Sequence, residues 1–170
     1  PIPKFIWLRL LLHAVLVELP LGLINFFPGP IGIQIRVWLY SFLCKKVGKN
    51  TIFDSSIILE GLKNISISDY VWIDKYVELN ALLGHINIGR RVHVGKNSYL
   101  LGYGGIDIGD FVAISSFVRI YSHSEVPGKG LRMSGPMIPE RMKAMKTAKV
   151  SIGKDAFIGT GVVILPGITI

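Results

Sequence analysis

Two residues that can move protons, His123 and Glu125, lie two positions apart where a regular pattern of aliphatic residues ends. A neutral imidazole, with an ordinary pKa near 6.5, can accept the proton of an attacking hydroxyl at neutral pH. A carboxylate two residues away is placed to orient such a ring. The residue types therefore indicate general-base chemistry at His123. The alternative is a solvated histidine in a turn.

The sequence before His123 repeats every six residues. Aliphatic or aromatic residues recur at this spacing, and most of them are followed by a small or acidic residue. We call them hexad residues; they are Val47, Phe53, Leu59, Ile67, Ile73, Leu79, Ile88, Val94, Leu100, Ile108, Ile114, Ile120, Ile152, Ile158, Ile164 and Ile170. The register slips by two or three residues after every third hexad. Three hexads per coil predict a triangular parallel β-helix whose extra residues collect along one edge.

The strand period of two predicts which side chains face outward. The hexad residue and the residue two positions before it point into the prism, and the residue between them points out. The outward residues then include His93, Tyr99, Arg119 and Phe157. The coils stack about 4.8 Å apart, and each side of the prism is a parallel sheet. The Gly, Asp or Ser after a hexad residue suits a tight corner, where positive φ or local side-chain bonding is needed.

The repeat is interrupted by a long loop at about 121–150. The loop is rich in glycine and proline and ends in a basic run over 140–149. Long loops within a regular fold are usually functional or disordered. His123 opens this loop at the edge where the slips collect. An arm of this length can reach an adjacent prism, so we expect a site in a cleft between subunits.

The sequence divides into a helical region, 1–46, and a β-helix, 47–170. A solenoid needs a cap at each open end, and the helical region can cover the first. The sequence stops on the hexad residue Ile170, in the middle of a coil, so we expect a further coil and cap to follow.

The helical region begins with an apolar segment, Phe5–Ile24, about long enough to cross a bilayer. Ionisable residues interrupt it at near-helical spacing: Arg9, His13 and Glu18. We expect a helix that lies on a membrane or enters it partway, with burial against the β-helix or a partner as the alternative. A second amphipathic helix is predicted over Ile31–Val47, starting near the prolines of 28–30, with Lys45 and Lys46 at its C-terminal end.

Composition limits the possible partners and compartments. The net charge is +8, but no basic stripe with interleaved aromatic residues is present, so nucleic acid is not expected as a partner. An anionic membrane surface or phosphorylated small molecules fit this charge as well. Cys44 is the single cysteine, which excludes an intrachain disulfide and suits a reducing, cytoplasmic setting.

A zinc site built from histidines is a less favoured alternative. It would require two histidines about five residues apart and a third from a neighbouring coil. His93 points outward from the middle of a side, and the required spacing is absent. His85 lies at the slip edge two coils before His123, about 10 Å along the axis. It either lines an acceptor cleft or faces solvent, and no metal is expected.

Three stretches together resemble one family: "IGRRVHVGKNSYL", "IDIGDFVAISSFVRIYSHS" and, after the loop, "VSIGKDAFIGTGVVILPGITI". They look like the hexapeptide-repeat acyltransferases, nearest to the galactoside, xenobiotic and polysaccharide O-acetyltransferases. The resemblance covers about 47–170. It implies a left-handed parallel β-helix, a homotrimer with sites at subunit interfaces, acetyl-CoA as acyl donor and a histidine base.

The resemblance also assigns individual positions. The family's catalytic histidine falls on His123, and its groove for coenzyme A is matched by Gly159 and Thr160. Tyr99 matches a tyrosine on the acceptor side. An asparagine near the acetyl group is replaced by Leu101, which cannot donate a hydrogen bond, so a backbone N–H would have to stabilise the oxyanion.

The sequence therefore predicts an acetyl-CoA-dependent O-acetyltransferase that uses His123 as general base, without an acyl-enzyme. The expected acceptor is a sugar of a cell-surface polysaccharide or of its lipid-linked or nucleotide-linked precursor. The expected location is the cytoplasmic face of the membrane. The alternatives are an N-acetyltransferase acting on an amino sugar and a non-catalytic β-helix scaffold.

Overall fold

The computed structural model describes residues 4–13, 15, 19–126, 128, 132–133 and 138–170. Three helices come first: α1 (Lys4–His13), α2 (Leu19–Phe26) and α3 (Gly29–Leu43). Short parallel strands follow and form the three sides of a prism. The predicted left-handed parallel β-helix preceded by α-helices is confirmed.

Each side of the prism is a sheet of five strands. Sheet A contains β1 (Lys46–Val47), β4 (Ile65–Ile67), β7 (Ile86–Ile88), β10 (Ile106–Ile108) and β15 (Val150–Ile152). Sheet B contains β2 (Ile52–Phe53), β5 (Trp72–Ile73), β8 (His93–Val94), β11 (Ala113–Ile114) and β16 (Phe157–Ile158). Sheet C contains β3 (Ile58–Glu60), β6 (Glu78–Asn80), β9 (Tyr99–Leu101), β12 (Arg119–Tyr121) and β17 (Val163–Ile164).

The strand register follows the slips in the sequence. Ile86 pairs with Ile106, and Ile106 pairs with Val150 across the long interruption. All the slips therefore lie along the edge where the chain leaves sheet C and enters sheet A; we call this the slip edge. From Ile67 to Ile164 every hexad residue is buried, and together they form the core. Fully burying an aliphatic side chain of this size contributes about 1.5–3 kcal/mol.

Close stacking of the coils limits the size of the residue that follows a hexad residue. At Gly95 an added Cβ would lie 2.6 Å from the carbonyl carbon of Ser115, one coil later. At Gly89 the same atom would lie 2.6 Å from the carbonyl carbon of Gly109. Neither glycine has positive φ, and the close approach of the next coil excludes a larger residue there. Local side-chain bonding, the alternative expectation, is present at Asp54, whose Oδ1 accepts from the Ser55 amide at 2.9 Å.

Positive φ occurs three positions after the hexad residue, and most of these residues are not glycine. Four are aromatic: Tyr70, Tyr76, Phe111 and Phe117, with φ of 61° or 62°. The left-handed region costs an L-residue roughly 1–2 kcal/mol. The stacking of the coils imposes this backbone shape at each corner, whatever the side chain.

The N-terminal helices differ from the prediction in their boundaries. The apolar segment Phe5–Ile24 contains parts of two helices, with Pro20 in the first turn of α2. α3 begins two residues earlier than expected and ends at Leu43. Lys45 and Lys46 therefore lie beyond the helix, because Val47 is already paired in sheet A. Glu18, one of the ionisable residues expected to interrupt the apolar helix, lies outside the described residues.

Arg36 of α3 joins the helices to the prism. Its side chain is 1% exposed. Nε donates to the Phe53 carbonyl at 2.9 Å, and Nη1 donates to the carbonyls of Ile24 at 3.1 Å and Phe27 at 2.7 Å. The guanidinium thus satisfies carbonyls left open where α2 ends, as cations at helix C-termini do. One buried residue fixes α2, α3 and the first coil together.

The outer surface of the helices is apolar. Large side chains are exposed there, among them Trp7, Leu11, Leu23, Phe26, Phe27, Ile31, Trp38 and Phe42. Across the part of the chain that the structure describes, none of the helices has the length and apolar character that a membrane crossing would need. The face of α3 that carries Arg36 and Tyr40 is buried, so the helix presents one face to the prism and the opposite face outward.

Candidate active site

His123 lies at the slip edge, directly after sheet C. It begins β13 (His123–Glu125), which pairs antiparallel with β14 (Met145–Thr147), so that His123 stands opposite Thr147. The long loop predicted at 121–150 therefore contains a hairpin. The sequence did not reveal this hairpin because neither strand alternates apolar and polar residues.

The imidazole of His123 is half-buried under Tyr103. The two ring centroids are 4.7 Å apart and the ring planes are inclined by 32°. Nδ1 is buried and has no hydrogen-bond partner among the described residues. Burial lowers the pKa of His123, and the negative charge of Glu125 opposes this only in part. The ring is therefore neutral at physiological pH, as a general base must be.

Glu125 lies on the same face of the hairpin as His123. Side chains two residues apart on a strand point to the same side, and the Glu125 charge raises the pKa of His123. The structure thus brings together the two residues that the sequence singled out first. The influence of Glu125 on the ring is electrostatic.

Tyr103 was not predicted, although it occupies the slip edge one coil before His123. Its neighbours Gly102 and Gly104 allow tight stacking of the coils. The Gly104 amide donates to Ser122 Oγ at 2.8 Å, and Ser122 Oγ donates to the Leu101 carbonyl at 2.8 Å. Ser122 is fully buried. These contacts hold the corner that carries Tyr103 against the residue next to His123.

Substituting Tyr103 should change the titration of His123. With Tyr103→Ala the ring loses its cover, so we expect its pKa to rise toward the ordinary value of about 6.5. Tyr103→Phe keeps the cover and should leave the pKa unchanged. NMR titration of the histidine ring protons measures both variants. A pKa that is the same in wild type and Tyr103→Ala would contradict this role.

His85 is placed at the slip edge between β6 and β7, as the sequence indicated. Its Nε2 lies 3.1 Å from Asp107 Oδ1. Asp107 also accepts from Asn87 Nδ2 at 2.8 Å and pairs with Lys149 Nζ at 3.0 Å. The His85 ring is partly exposed and is held by the Asp107 carboxylate. Among the described contacts, none joins the His85 ring to the His123 ring. Asp107 links the end of the long loop to the slip edge.

The Asp107 network should make stability depend on pH. Burial alone would raise the pKa of Asp107, but hydrogen bonds from Asn87, Lys149 and His85 outweigh it and lower the pKa. A carboxyl with a lowered folded pKa stabilises above its unfolded pKa, near 3.9, and this contribution is lost as the pH falls through the folded value.

We therefore expect Asp107→Asn to be less stable at pH 7, by about 1 kcal/mol or less because the network is partly exposed. The difference from wild type should disappear as the pH falls through the lowered folded pKa of Asp107. Urea unfolding at several pH values measures it. Asp155→Asn, at an exposed carboxylate 3.7 Å from Lys154 Nζ, is the control and should show no such trend. A pH-independent difference for Asp107→Asn would contradict the network.

Tyr99 lies on the outer face of sheet C, as predicted. It stands between Glu78 and Arg119 in the strand register. Its ring centroid is 5.8 Å from that of Tyr121. Burial and the nearby Glu78 raise the pKa of Tyr99 to about 12, with smaller contributions from neighbouring groups. The phenol therefore stays protonated and can donate a hydrogen bond.

Leu101, which replaces the family's asparagine, stands directly beside an asparagine of the previous coil. Asn80 pairs with Leu101 in sheet C and is 6% exposed. Its amide nitrogen donates to a carboxylate oxygen of Glu60. Asn80 was not predicted as a site residue, although the coil length of about 20 residues places it beside Leu101.

Gly159 and Thr160, the expected contacts for coenzyme A, lie between β16 and β17. A Cβ added at Gly159 would meet only Val162 Cγ2, at 4.0 Å. Thr160 is exposed. The open space at Gly159 contrasts with the tight contacts at Gly89 and Gly95 and leaves room for a thin chain beside the backbone.

The remaining outward histidine, His93, is engaged on sheet B. Its Nε2 lies 3.2 Å from Asp74 Oδ2, and its ring packs near Trp72. Within the described ranges, no three His, Cys, Asp or Glu side chains are grouped so as to hold a metal ion.

No protein-family model matches the sequence. The chain is similar to dTDP-4-amino-4,6-dideoxy-D-glucose acyltransferase of Escherichia coli, with 36% identity over 124 residues, 73% of this chain and 64% of that enzyme. It is also similar to nodulation protein L of Rhizobium leguminosarum bv. viciae, with 36% identity over 90 residues, 50% of this chain and 40% of that protein.

Solved structures extend the likeness. AntD, an N-acyltransferase from Bacillus cereus, matches in a complex with dTDP and coenzyme A, with 31% identity and a TM-score of 0.71 over 78% of this chain and 70% of that chain. Another AntD complex, with dTDP-4-amino-4,6-dideoxyglucose and coenzyme A, matches at 29% identity with a TM-score of 0.72, over 79% of this chain and 71% of that chain.

The prism, the slip edge and these similarities define the class. The chain belongs to the hexapeptide-repeat acyltransferases. It matches 64% of the length of the E. coli relative.

Proposed function

We propose that this protein is an N-acyltransferase that transfers an acyl group from acyl-coenzyme A to the amino group of a nucleotide-linked sugar. The observation that carries the proposal is the similarity to the E. coli and B. cereus proteins, both of which are named for amino-sugar or N-acyl chemistry. This favours the N-acetyltransferase alternative over the O-acetyl transfer first expected from the sequence.

The neutral ring of His123 supports the proposal. In the reaction, the acceptor nitrogen forms a bond to the acyl carbon, the carbon–sulfur bond breaks, and the nitrogen gives up a proton. His123 accepts that proton and returns it to solvent or to the leaving thiolate, so that atoms and charge balance. The thioester is already activated, so no acyl-enzyme is required. The charge of Glu125 stabilises the imidazolium that forms.

The other predicted site residues are assigned supporting roles. Gly159 and Thr160 would contact the pantetheine arm of the acyl donor, since the backbone is open there. Tyr99 would line the acceptor side and donate a hydrogen bond. His85, held by Asp107, would border the cleft along the slip edge. A backbone N–H would stabilise the oxyanion, since Leu101 has no donor.

We also propose a homotrimer with its sites at the interfaces, and contact with the cytoplasmic face of a membrane. Exposed aromatic residues on the prism support self-association, among them Trp72, Phe117 and Phe157. The exposed apolar face of the helices supports membrane contact. Glu18 is the single acidic residue of the sequence before Asp54, whereas Arg9, Lys45 and Lys46 are exposed. Basic residues beside an apolar face favour anionic lipid.

Product analysis tests the proposed reaction. The full chain is incubated with acetyl-CoA and either dTDP-4-amino-4,6-dideoxyglucose or the matching sugar with a 4-hydroxyl group, and products are identified by mass spectrometry. We expect acetylation of the amino sugar alone. Acetylation of the hydroxyl sugar alone would restore the O-acetyl interpretation, and no transfer to either sugar, with no binding of acetyl-CoA, would favour the scaffold.

A further inference from the structure

A groove lies on the outer face of sheet C, at the end of the strands away from the slip edge. Its volume is about 290 Å³. Its lining residues are Tyr76, Glu78, Asn97, Ser98, Tyr99 and Arg119. They combine tyrosine rings with planar carboxylate, amide and guanidinium groups. Such groups suit a flat ligand that carries donors and acceptors in its plane.

The charged groups of the groove are not paired with each other. Among the described residues Glu78 has no cationic partner; burial and the neighbouring Glu60 raise its pKa. Arg119 donates through Nη1 to the Asn97 carbonyl at 2.7 Å instead of to Glu78. A half-buried carboxylate and a guanidinium therefore both face the same groove, ready to accept and to donate.

The groove is connected to His123 by a strip of tyrosines. Tyr99 lines the groove and contacts Tyr121 with a ring separation of 5.8 Å. Tyr103, which covers the His123 ring, is close enough to raise the pKa of Tyr99. Strand β9 adds about 7 Å between its first and last residues. A ligand that occupies the groove and reaches His123 must therefore be longer than one sugar ring.

We propose that this groove binds the nucleobase end of the acceptor while its amino sugar lies at His123, an inference that rests on the proposed function. A pyrimidine base presents an N–H between two carbonyl groups. Glu78 can accept from the N–H, Arg119 can donate to a carbonyl, and Tyr76 and Tyr99 offer faces for the ring. Base stacking on an aromatic side chain contributes about 1–3 kcal/mol.

The test measures binding of dTDP and of coenzyme A separately by calorimetry. We expect Glu78→Ala and Tyr76→Ala each to weaken dTDP binding by about tenfold, as the loss of one hydrogen bond or one stacking contact predicts. Coenzyme A binding should be unchanged in both variants. Tyr70→Ala is the matched control: Tyr70 is also an exposed tyrosine with φ of 61°, but it lies outside the groove.

The outcomes separate this inference from the proposed function. Wild-type affinity for dTDP in both groove variants, or no dTDP binding by the wild type, overturns the nucleobase site. The first result leaves the proposed function intact, and after the second the product analysis still decides whether the amino sugar is acetylated. If Tyr70→Ala weakens dTDP binding as much as Tyr76→Ala does, the corner tyrosines act through the fold and the inference is also overturned. Failure of the proposed function shows instead as absent transfer.

Discussion

Replacing His123 with alanine should lower kcat for acyl transfer by about two to four orders of magnitude, the usual contribution of a positioned general base. The expected effect is on the chemical step, because the ring lies at the slip edge and the open backbone at Gly159 is on a different corner. Binding of acetyl-CoA should be unchanged. Pre-steady-state kinetics and calorimetry on the same preparations measure the two quantities.

The pH profile gives an independent check on the base. Burial lowers the pKa of His123, and only the neutral ring can accept a proton. The wild-type rate should therefore fall on the acid side with an apparent pKa below the ordinary value of about 6.5. His93→Ala, which removes an outward histidine on sheet B, is the control and should keep wild-type activity. An active His123→Ala enzyme would exclude this residue as the base.

Replacing Arg36 with methionine should destabilise the protein by about 2–4 kcal/mol. The side chain is almost fully buried and donates to the carbonyls of Ile24, Phe27 and Phe53, with a longer contact of 3.5 Å to that of Asn25. Methionine fills similar space but leaves the carbonyls of Ile24, Phe27 and Phe53 without these donors. Each buried carbonyl that loses its donor costs about 1–3 kcal/mol, and relaxation of the surrounding structure recovers part of this cost. Urea unfolding followed by circular dichroism measures the change.

An exposed arginine provides the comparison for Arg36. Arg9 lies on α1 and is exposed, so Arg9→Met should change the free energy of unfolding by no more than about 0.5 kcal/mol. A similarly small effect for Arg36→Met would mean that the contacts of α2 and α3 with the first coil contribute little to stability.

The sequence predicted the prism because one physical constraint recurs in every coil. A hexad residue such as Ile114 must point inward, and the residue after it must let the next coil approach. The left-handed residues were not predictable from local preferences. Phe111 and Phe117 have side chains that disfavour positive φ, and the stacking of the coils overrides this preference.

The candidate site could be predicted only in part. His123 and Glu125 follow from the place where the repeat breaks. Tyr103 and Asp107 act through partners on neighbouring coils, 20 or more residues away along the chain. Such contacts appear only when the coils are aligned. The hairpin of β13 and β14 has no apolar pattern that distinguishes it from a loop in the sequence. Its stability comes from pairing with itself and from its position above the slip edge.

The slip edge also separates what must be preserved from what can vary. Ile106 pairs with Val150 as if no loop intervened. The packing of the core therefore does not depend on the length of the segment between them. Doubling such a loop costs only about 0.6 kcal/mol in closure entropy. Insertions and exchanges at this edge can therefore reshape the surroundings of His123 while the sheets stay in register. The fold is evolvable along one edge and conservative along the other two.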